Sequence, residues 1–458
     1  MKASESHAEV LVIGAGYAGL SAARALHRAG VDVQVVEARS RVGGRVWSEE
    51  LASGVLIDHG GQWIGPGQEH LQTLADELGV GTFPTFTAGE GVELRAGARH
   101  TYAGLIPTSD PAAAAEGVEA IFELDLAAGQ VPLEAPWTAP EAAALDEQTL
   151  GSWLSDHLKS GGARSTIDAA VKGIFGAEPG EMSLLYALFY LHAGGGLMNL
   201  SRTTGGAQER RFAGGAQQMA LALADELGER VVLSSPVSVV EYGEDGVVAH
   251  VESSSGRRRI RSRYAVVAMA PAITARLHWS PSLPAMRDQL CMRAPMGAVT
   301  KVHAVYESPF WRDQGLNGQL VADAGALRLT FDDSPSDGGR GVLVGFVAGD
   351  DCRLLEEGSD DQRRGTVLED LARAFGPRAA KPIELAEQRW CAEPYTGGGP
   401  VTVFTPGLLS GCGPALRRPV GPLHWAGTET ATKWCGYIDG AISSGRRAAG
   451  EVLERLGS

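Results

Sequence analysis

Cysteine is scarce and irregularly placed. The five residues Cys291, Cys352, Cys391, Cys412 and Cys435 are odd in number and follow no framework spacing. That excludes a disulfide-stapled secreted fold and suits free thiols in a reducing cytoplasm. No run of 18 or more apolar residues occurs, so a membrane-spanning helix is not expected. The opening Met1-Lys-Ala-Ser-Glu-Ser-His-Ala-Glu is polar, with no long apolar stretch, and reads as lacking a secretory leader. Eleven histidines show no metal-ligand spacing with cysteines or carboxylates, so no metal is expected. Basic excess is missing too. The net charge of −15 argues against nucleic acid and against anionic membrane surfaces as partners. No serine nucleophile elbow, zinc motif, general-base constellation or internal repeat is found. What remains is a 458-residue chain, 44% hydrophobic, that is long enough for two intimately packed domains.

The strongest positive signal lies at 10–19, Val-Leu-Val-Ile-Gly-Ala-Gly-Tyr-Ala-Gly. An apolar strand runs into a Gly-x-Gly-x-x-Gly turn and then a helix, and a second strand, Val31-Asp-Val-Gln-Val-Val-Glu37, ends on an acid. Gly14 permits the tight turn, Gly16 lets backbone approach a pyrophosphate, and Gly19 lets helix pack on strand. Ala15 and Ala18 of the same turn are expected as further cofactor-binding positions. The helix N-terminus offers free N–H groups to phosphate, and Glu37 is placed to accept from an adenosine ribose. A second glycine pair follows in Glu37-Ala-Arg-Ser-Arg-Val-Gly-Gly-Arg45. Gly43 and Gly44 allow close approach, Ala38 and Arg39 flank it, and Arg45 could reach a phosphate. Two such loops in succession suit a long dinucleotide running through the protein.

Downstream, Asp58-His-Gly-Gly-Gln-Trp-Ile-Gly65 looks like a backbone-rich cofactor contact through Gly61, Gln62 and Trp63. Residues 108–210 read as mainly helical, with periodic stretches near 112–128, 141–160, 163–173 and 181–192. Alternation returns at 231–240, and Tyr264-Ala-Val-Val-Ala-Met-Ala reads as a buried strand. Longer strands of a second sheet are expected at 298–306 and 342–348. Leu423-His-Trp-Ala-Gly-Thr-Glu-Thr reads as a strand entering a glycine loop, followed by a helix from Gly440. Nucleotide-binding pieces thus recur along the chain. The expected fold is α/β, a discontinuous Rossmann-like domain with an inserted α+β domain of sheet and helices. The boundaries are 1–85, 213–290 and 393–458 for the first, and 86–212 and 291–392 for the second.

Four strings, 37–45, Ala135-Pro-Trp-Thr-Ala-Pro140, 205–215 and 426–440, occur in one order that resembles the flavin monoamine oxidases. The pattern is particularly similar to the bacterial cyclohexylamine oxidases, which bind FAD without a covalent link. The resemblance covers essentially the whole chain and implies an FAD-dependent amine oxidase. It implies that Gly427, Thr428 and Glu429 meet the flavin pyrophosphate and ribityl chain, that Val237 touches adenine, and that Tyr437 and Ile438 open a helix aimed at the flavin. Lys301 interrupts an apolar strand, where pattern alone favours an outward, solvated lysine. By resemblance it holds a water near flavin N5. Trp390 and Tyr437 are implied as aromatic catalytic and cofactor contacts, with Tyr437 one wall of an amine cage. Pro400 stands where many relatives carry a second tyrosine, and Gly399 where mammalian enzymes carry the cysteine linked to FAD. Ile174, Phe175, Leu200, Gln208 and Leu329 fall at substrate-cavity positions.

The implied reaction oxidises the C–N bond of a primary or secondary amine by hydride-equivalent transfer to the flavin. The imine hydrolyses to a carbonyl compound and ammonia, and O2 reoxidises the flavin to give hydrogen peroxide. Alternatives are an amine dehydrogenase, an amino-acid oxidase or a desaturase using another acceptor, and more remotely a non-catalytic partner-binding scaffold. A homodimer is common among relatives.

Overall fold

A computed structural model describes residues 4–253 and 256–457. The first three residues of the leader reading, Met1 to Ala3, lie outside the described residues. Strand Ser4–Ile13 pairs in parallel with Val33–Val36 on one side and with Gly256–Ala268 on the other. Val10, Leu11, Val12 and Ile13 are all buried, as expected of a parallel strand covered on both faces. Val231–Val232 extends the sheet beyond Val33–Val36, and Leu423–Ala426 pairs in parallel with the end of Gly256–Ala268. The start of that long strand instead pairs antiparallel with Gly246–Ser253, which leads to Val237–Gly243 and His278–Ser280. The parallel strands therefore end together, at Gly14, Glu37, Met269 and Gly427. That edge is where open α/β sheets bind ligands.

Helices Tyr17–Arg28 and Ile438–Gly457 cover one face of this sheet and cross at Gly445, where a Cβ would strike Ala18 O. Gly19 is as constrained, because a Cβ there would run into Gly14 O.

The second sheet has seven strands in the order Glu384–Arg389, Val299–Tyr306, Gly341–Ala348, Leu329–Asp332, Leu316–Ala322, Glu90–Arg95 and Ala98–Tyr102. Val299–Tyr306 is buried at all eight positions, between Gly341–Ala348 and Glu384–Arg389. Lys301 is thus an interior residue, and the outward-solvated reading fails because the strand is paired on both sides and buried at every position. Helices Pro111–Ala128, Gly161–Phe175 and Leu184–Ala193 form the core of the helical region. In the last of these, every residue except His192 is buried.

Two expected elements divide. The stretch 141–160 becomes helices Ala142–Glu147 and Leu150–His157, because Gln148 and Thr149 between them are extended, at ψ 144° and 153°. Thr149 Oγ1 then caps the second helix by accepting from Ser152 N at 3.0 Å. The expected strand at 231–240 breaks at Ser234, φ 48°, whose N–H donates to Arg39 O at 2.7 Å. The break carries Val237 away from the first edge strand and into a separate one.

Replacing Gly19 by alanine is expected to cost about 2–3 kcal/mol, the scale of overpacking at a site that cannot relax. Chemical denaturation checks it, and a midpoint unchanged from the parent would contradict the packing argument.

Candidate active site

One cavity of about 670 Å³ runs from the ends of the parallel strands to the second sheet and the helical region. At one end Gly14, Gly16, Ala18, Glu37, Ala38, Arg39 and Val237 line it. Gly14 has φ 103°, and a Cβ would lie 2.7 Å from Ala268 O, so the turn itself demands glycine. Gly16 differs: its nearest neighbour to a notional Cβ is Gly44 Cα at 3.8 Å. That space opens at the start of helix Tyr17–Arg28, where Gly16 is the N-cap and no side chain caps the N–H groups. Uncapped donors beside vacant room suit a phosphate.

Ala15 N donates to Glu37 Oε2 at 2.8 Å, and Arg39 N to Glu37 Oε1 at 2.9 Å. Each carboxylate oxygen keeps a lone pair for a hydroxyl. The second glycine loop lies against the first, with Gly43 N donating to Ala15 O at 2.9 Å. Gly44 also borders the cavity.

Arg45 borders the cavity but is already engaged. Nη1 donates to Glu429 Oε1 at 2.6 Å and Nη2 to Oε2 at 3.0 Å, with Pro400 O a further acceptor at 2.9 Å. These bonds engage three of the five guanidinium N–H groups and leave two with which Arg45 could reach a phosphate. Glu429 does not line the cavity; its role there is through Arg45, tying the loop after Ala426 to the second glycine loop. Burial raises the Glu429 carboxyl, but the Arg45 guanidinium outweighs this and holds it below the usual range. Gly427, at φ 125°, and Thr428 do line the cavity, and Thr428 Oγ1 donates to Tyr437 O at 2.9 Å.

At the centre lie Gly61, Gln62, Trp63, Lys301, Trp390, Pro400, Tyr437 and Ile438. Lys301 Nζ donates to Asp58 O at 2.6 Å, to Gly60 O at 2.9 Å and to Gln62 Oε1. All three ammonium protons are thereby committed to protein oxygens, so a water has none left to accept unless one of these bonds yields. Burial pushes the Lys301 amine down to about 8, against the pull of Asp333 and Asp58. Behind it, Gln62 Nε2 donates to Asp333 Oδ1 at 2.7 Å, and Arg211 Nη1 donates to the same oxygen at 2.7 Å. Burial also raises Asp58 to about 6 and drives His303 well below its ordinary value. Trp390 is both wall and core: Nε1 donates to His59 O at 2.9 Å, and the ring packs on Val299 and Ala348.

The other end is lined by Ile174, Leu200, Gln208 and Leu329. Gln208 Nε2 donates to Leu200 O at 2.9 Å, which leaves Oε1 without a partner. Phe175 is not in the wall. It is fully buried behind it, 4.5 Å from the Tyr190 ring, because Ile174 takes the cavity-facing side of the helix end. Tyr190 itself borders the cavity and lies 6.4 Å from the Tyr437 ring. Sequence reasoning missed it, since helix Leu184–Ala193 is apolar all round and marks no face. It also missed Asp333, Arg211 and His303, whose only sequence signal is polarity inside buried strands or next to them.

A parallel sheet with glycine loops at its edge, joined by one cavity to a second sheet and a helical region, defines an α/β protein of the dinucleotide-binding kind. The sequence profile described as flavin containing amine oxidoreductase matches residues 17–453. AofH of Mycobacterium tuberculosis, a chain named as a flavin-containing monoamine oxidase, is 39% identical over 448 residues, 98% of this chain and 97% of that one. The flavin-containing amine oxidase of Oncorhynchus mykiss is 36% identical, over 98% of this chain and 86% of that one. Among solved structures, cyclohexylamine oxidase from Brevibacterium oxydans is 36% identical with a TM-score of 0.94, covering 98% of this chain and all of the other. Putrescine oxidase bound to putrescine matches with the same TM-score at 33% identity, over 98% and 100% of the two chains. The chain belongs to the flavin-containing amine oxidases, and its activity is FAD-dependent amine oxidation. The residues present fit that cofactor: Gly16 leaves room, the first helix is uncapped, and Glu37 has spare acceptor capacity.

Replacing Glu429 with glutamine strands the Arg45 charge and is expected to cost about 3 kcal/mol. Since the native carboxyl titrates below its unfolded value of about 4.3, this stabilisation is fully present above that pH and disappears as pH falls through the native value. Denaturant midpoints of parent and variant should therefore converge in acid; a gap that persists there would contradict the ion-pair account.

Proposed function

We propose that this enzyme oxidises primary amines carried on bulky apolar skeletons, with FAD held non-covalently and O2 as electron acceptor. The observation that carries this reading is the cavity's charge. Among its described lining residues Glu37 is the sole carboxylate, and it sits at the nucleotide end. A monoamine needs one polar anchor. A diamine would bury a second ammonium with no counter-charge, costing several kcal/mol.

Tyr437 is proposed to flank the amine nitrogen, while Ile174, Leu200, Leu329 and Pro400 hold the carbon skeleton and Gln208 lines the same end. A free amine with pKa near 10 costs ~4 kcal/mol to deprotonate at pH 7, and desolvation in an apolar pocket lowers that cost without a dedicated base. Bound FAD supplies the two-electron acceptor for C–N oxidation. The N-terminus of helix Ile438–Gly457 supplies a positive dipole end for negative charge developing there, and Lys301 supplies a nearby cation. The imine then hydrolyses to a carbonyl compound and ammonia, and O2 becomes hydrogen peroxide.

The non-covalent reading is supported by the absence of cysteine from the described cavity wall. It is supported as well by Gly399, where a Cβ would press on Val299 Cγ1 at 3.3 Å. The cofactor domain is proposed as 1–85, 213–290 and 393–458, and the substrate domain as 86–212 and 291–392. In support, the first sheet draws its strands from 4–36, 231–280 and 423–426, and the second from 90–102 and 299–389. Five free thiols support a cytoplasmic location. No described helix is long and apolar enough to cross a membrane. A homodimer is proposed on family precedent alone.

Anaerobic mixing with an amine panel tests the substrate reading. Cyclohexylamine or phenethylamine should bleach the flavin, and kcat/KM should exceed that for putrescine by roughly 100-fold or more, the factor for ~3 kcal/mol. Acid precipitation of the same protein should release the flavin into the supernatant. Putrescine as the better substrate would reject the pocket reading, and flavin retained in the pellet would reject non-covalent binding.

Lys301→Met is expected to slow reoxidation by O2 about tenfold or more, an electrostatic loss of ~1.4 kcal/mol, while flavin reduction by amine changes less. Stopped-flow traces of the two half-reactions check this. Equal slowing of both would assign Lys301 to structure.

A further inference from the structure

Of the three acceptors around Lys301 Nζ, two are the backbone carbonyls of Asp58 and Gly60, and the third is the side-chain oxygen of Gln62. A carbonyl can only accept. The Gln62 amide, by contrast, has an oxygen at one corner and an NH2 at the other, and an NH2 turned toward an ammonium would repel it. The choice is made at the far end of the amide, where Nε2 donates to Asp333 Oδ1 at 2.7 Å. A lysine that only donates and a carboxylate that only accepts leave the amide between them one way round. Asp333 is itself anchored, since Arg211 Nη1 donates to its Oδ1 and to its backbone oxygen, each at 2.7 Å. All four side chains are buried, so no bulk water competes for these bonds.

We propose that Asp333 is a positioning residue for Lys301: it sets the direction of the Gln62 amide, and its charge keeps Lys301 an ammonium at the cavity wall. The titratable groups facing the lysine are Asp58 and His59 before Gln62, Arg211 on strand Arg210–Phe212, Asp333 after strand Leu329–Asp332, and His303 on the lysine's own strand. Burial lowers both histidines, which leaves them uncharged at neutral pH and above. Burial raises Asp58 to about 6, and its carboxylate is turned to Ser48 Oγ and Ala216 N. Asp333 is therefore the one carboxylate of this group joined to Lys301 through a side-chain hydrogen-bond relay.

Loss of the Asp333 charge acts twice in one direction. It removes an anion near the amine, and it frees the Gln62 amide to reverse and take its oxygen away. Both changes disfavour the charged lysine. Burial already holds the Lys301 amine at about 8, so a further fall brings its loss of charge to neutral pH. That the charge serves the reaction with O2 rests on the role proposed above for Lys301; the hydrogen-bonded order of the four side chains does not.

The chain has six lysines, so isotope labelling of lysine Cε in the holoenzyme gives few NMR resonances, and that of Lys301 is the one missing from Lys301→Met. Its titration midpoint in the parent is expected at about 8. In Asp333→Asn the midpoint should fall by about one pH unit or more, the scale of a lost opposite charge. Asp333→Glu, which keeps the charge, should recover most of that fall. A role in packing alone has the opposite sign, because a loosened site admits water and carries the midpoint up toward the ordinary lysine value of about 10.4. Should Asp333→Asn fail to fold, Gln62→Leu leaves the Arg211–Asp333 pair together and removes one acceptor, and the midpoint should again fall. An unchanged or raised midpoint in the folded variant would overturn the proposal. Stopped-flow reoxidation should slow as pH rises through the midpoint of each protein. If the midpoint falls and reoxidation does not follow it, Asp333 keeps its positioning role and the reading of Lys301 in O2 reduction fails.

Discussion

The Lys301 ammonium joins the two lobes of this protein. It projects from an interior strand of the second sheet, and its acceptors lie at 58–62, in the segment that leads away from the cofactor-side loops. An ammonium removed from water is costly, and three oxygens at bonding distance are needed to offset that cost. Gln62 is in turn fixed by Asp333, and Asp333 by Arg211, so one buried charge organises four segments distant in sequence. The same burial lowers the affinity of the amine for its proton and drives His303 to neutrality. A positive centre therefore sits at the cavity wall without further cations crowding it from the histidine behind.

A second ion pair, Arg45 with Glu429, performs the corresponding task within the cofactor side. It links loops separated by hundreds of residues and fixes the carbonyl of Pro400 as well. Arg45 borders the cavity and keeps two donors beyond this pair. The uncapped backbone N–H groups at the start of helix Tyr17–Arg28 suit a phosphate because they are rigid and need no desolvated side chain. The far end of the cavity is built differently, with the aliphatic residues Ile174, Leu200 and Leu329 in its wall.

Much of this was legible in the sequence, for local reasons. Gly14 takes a left-handed φ of 103°, a Cβ at Gly19 would run into Gly14 O five residues back, and the unbroken apolar run at 10–13 must be buried wherever it lies. Periodicity identified the helices near 112–128 and 163–173 because each has its own cap. The divisions at Gln148 and Ser234 were not legible. Gln148 is extended and Ser234 left-handed, both with ordinary side chains, and their conformations are selected by the elements to which the chain must connect.

The sequence by itself determined the order of strands, glycine turns and helices, and hence the kind of cofactor the parallel edge could receive. It does so because backbone conformation and amphipathic period are short-range properties. Only the tertiary structure decided which charged residues are free. Arg45 and Glu429, 384 positions apart, neutralise one another, and Lys301 is surrounded by oxygens from a distant loop. Only the fold, likewise, decided that Ile174 faces the cavity while Phe175 is buried against Tyr190. Electrostatic pairing and burial depend on separation in space, and no spacing along the chain encodes that.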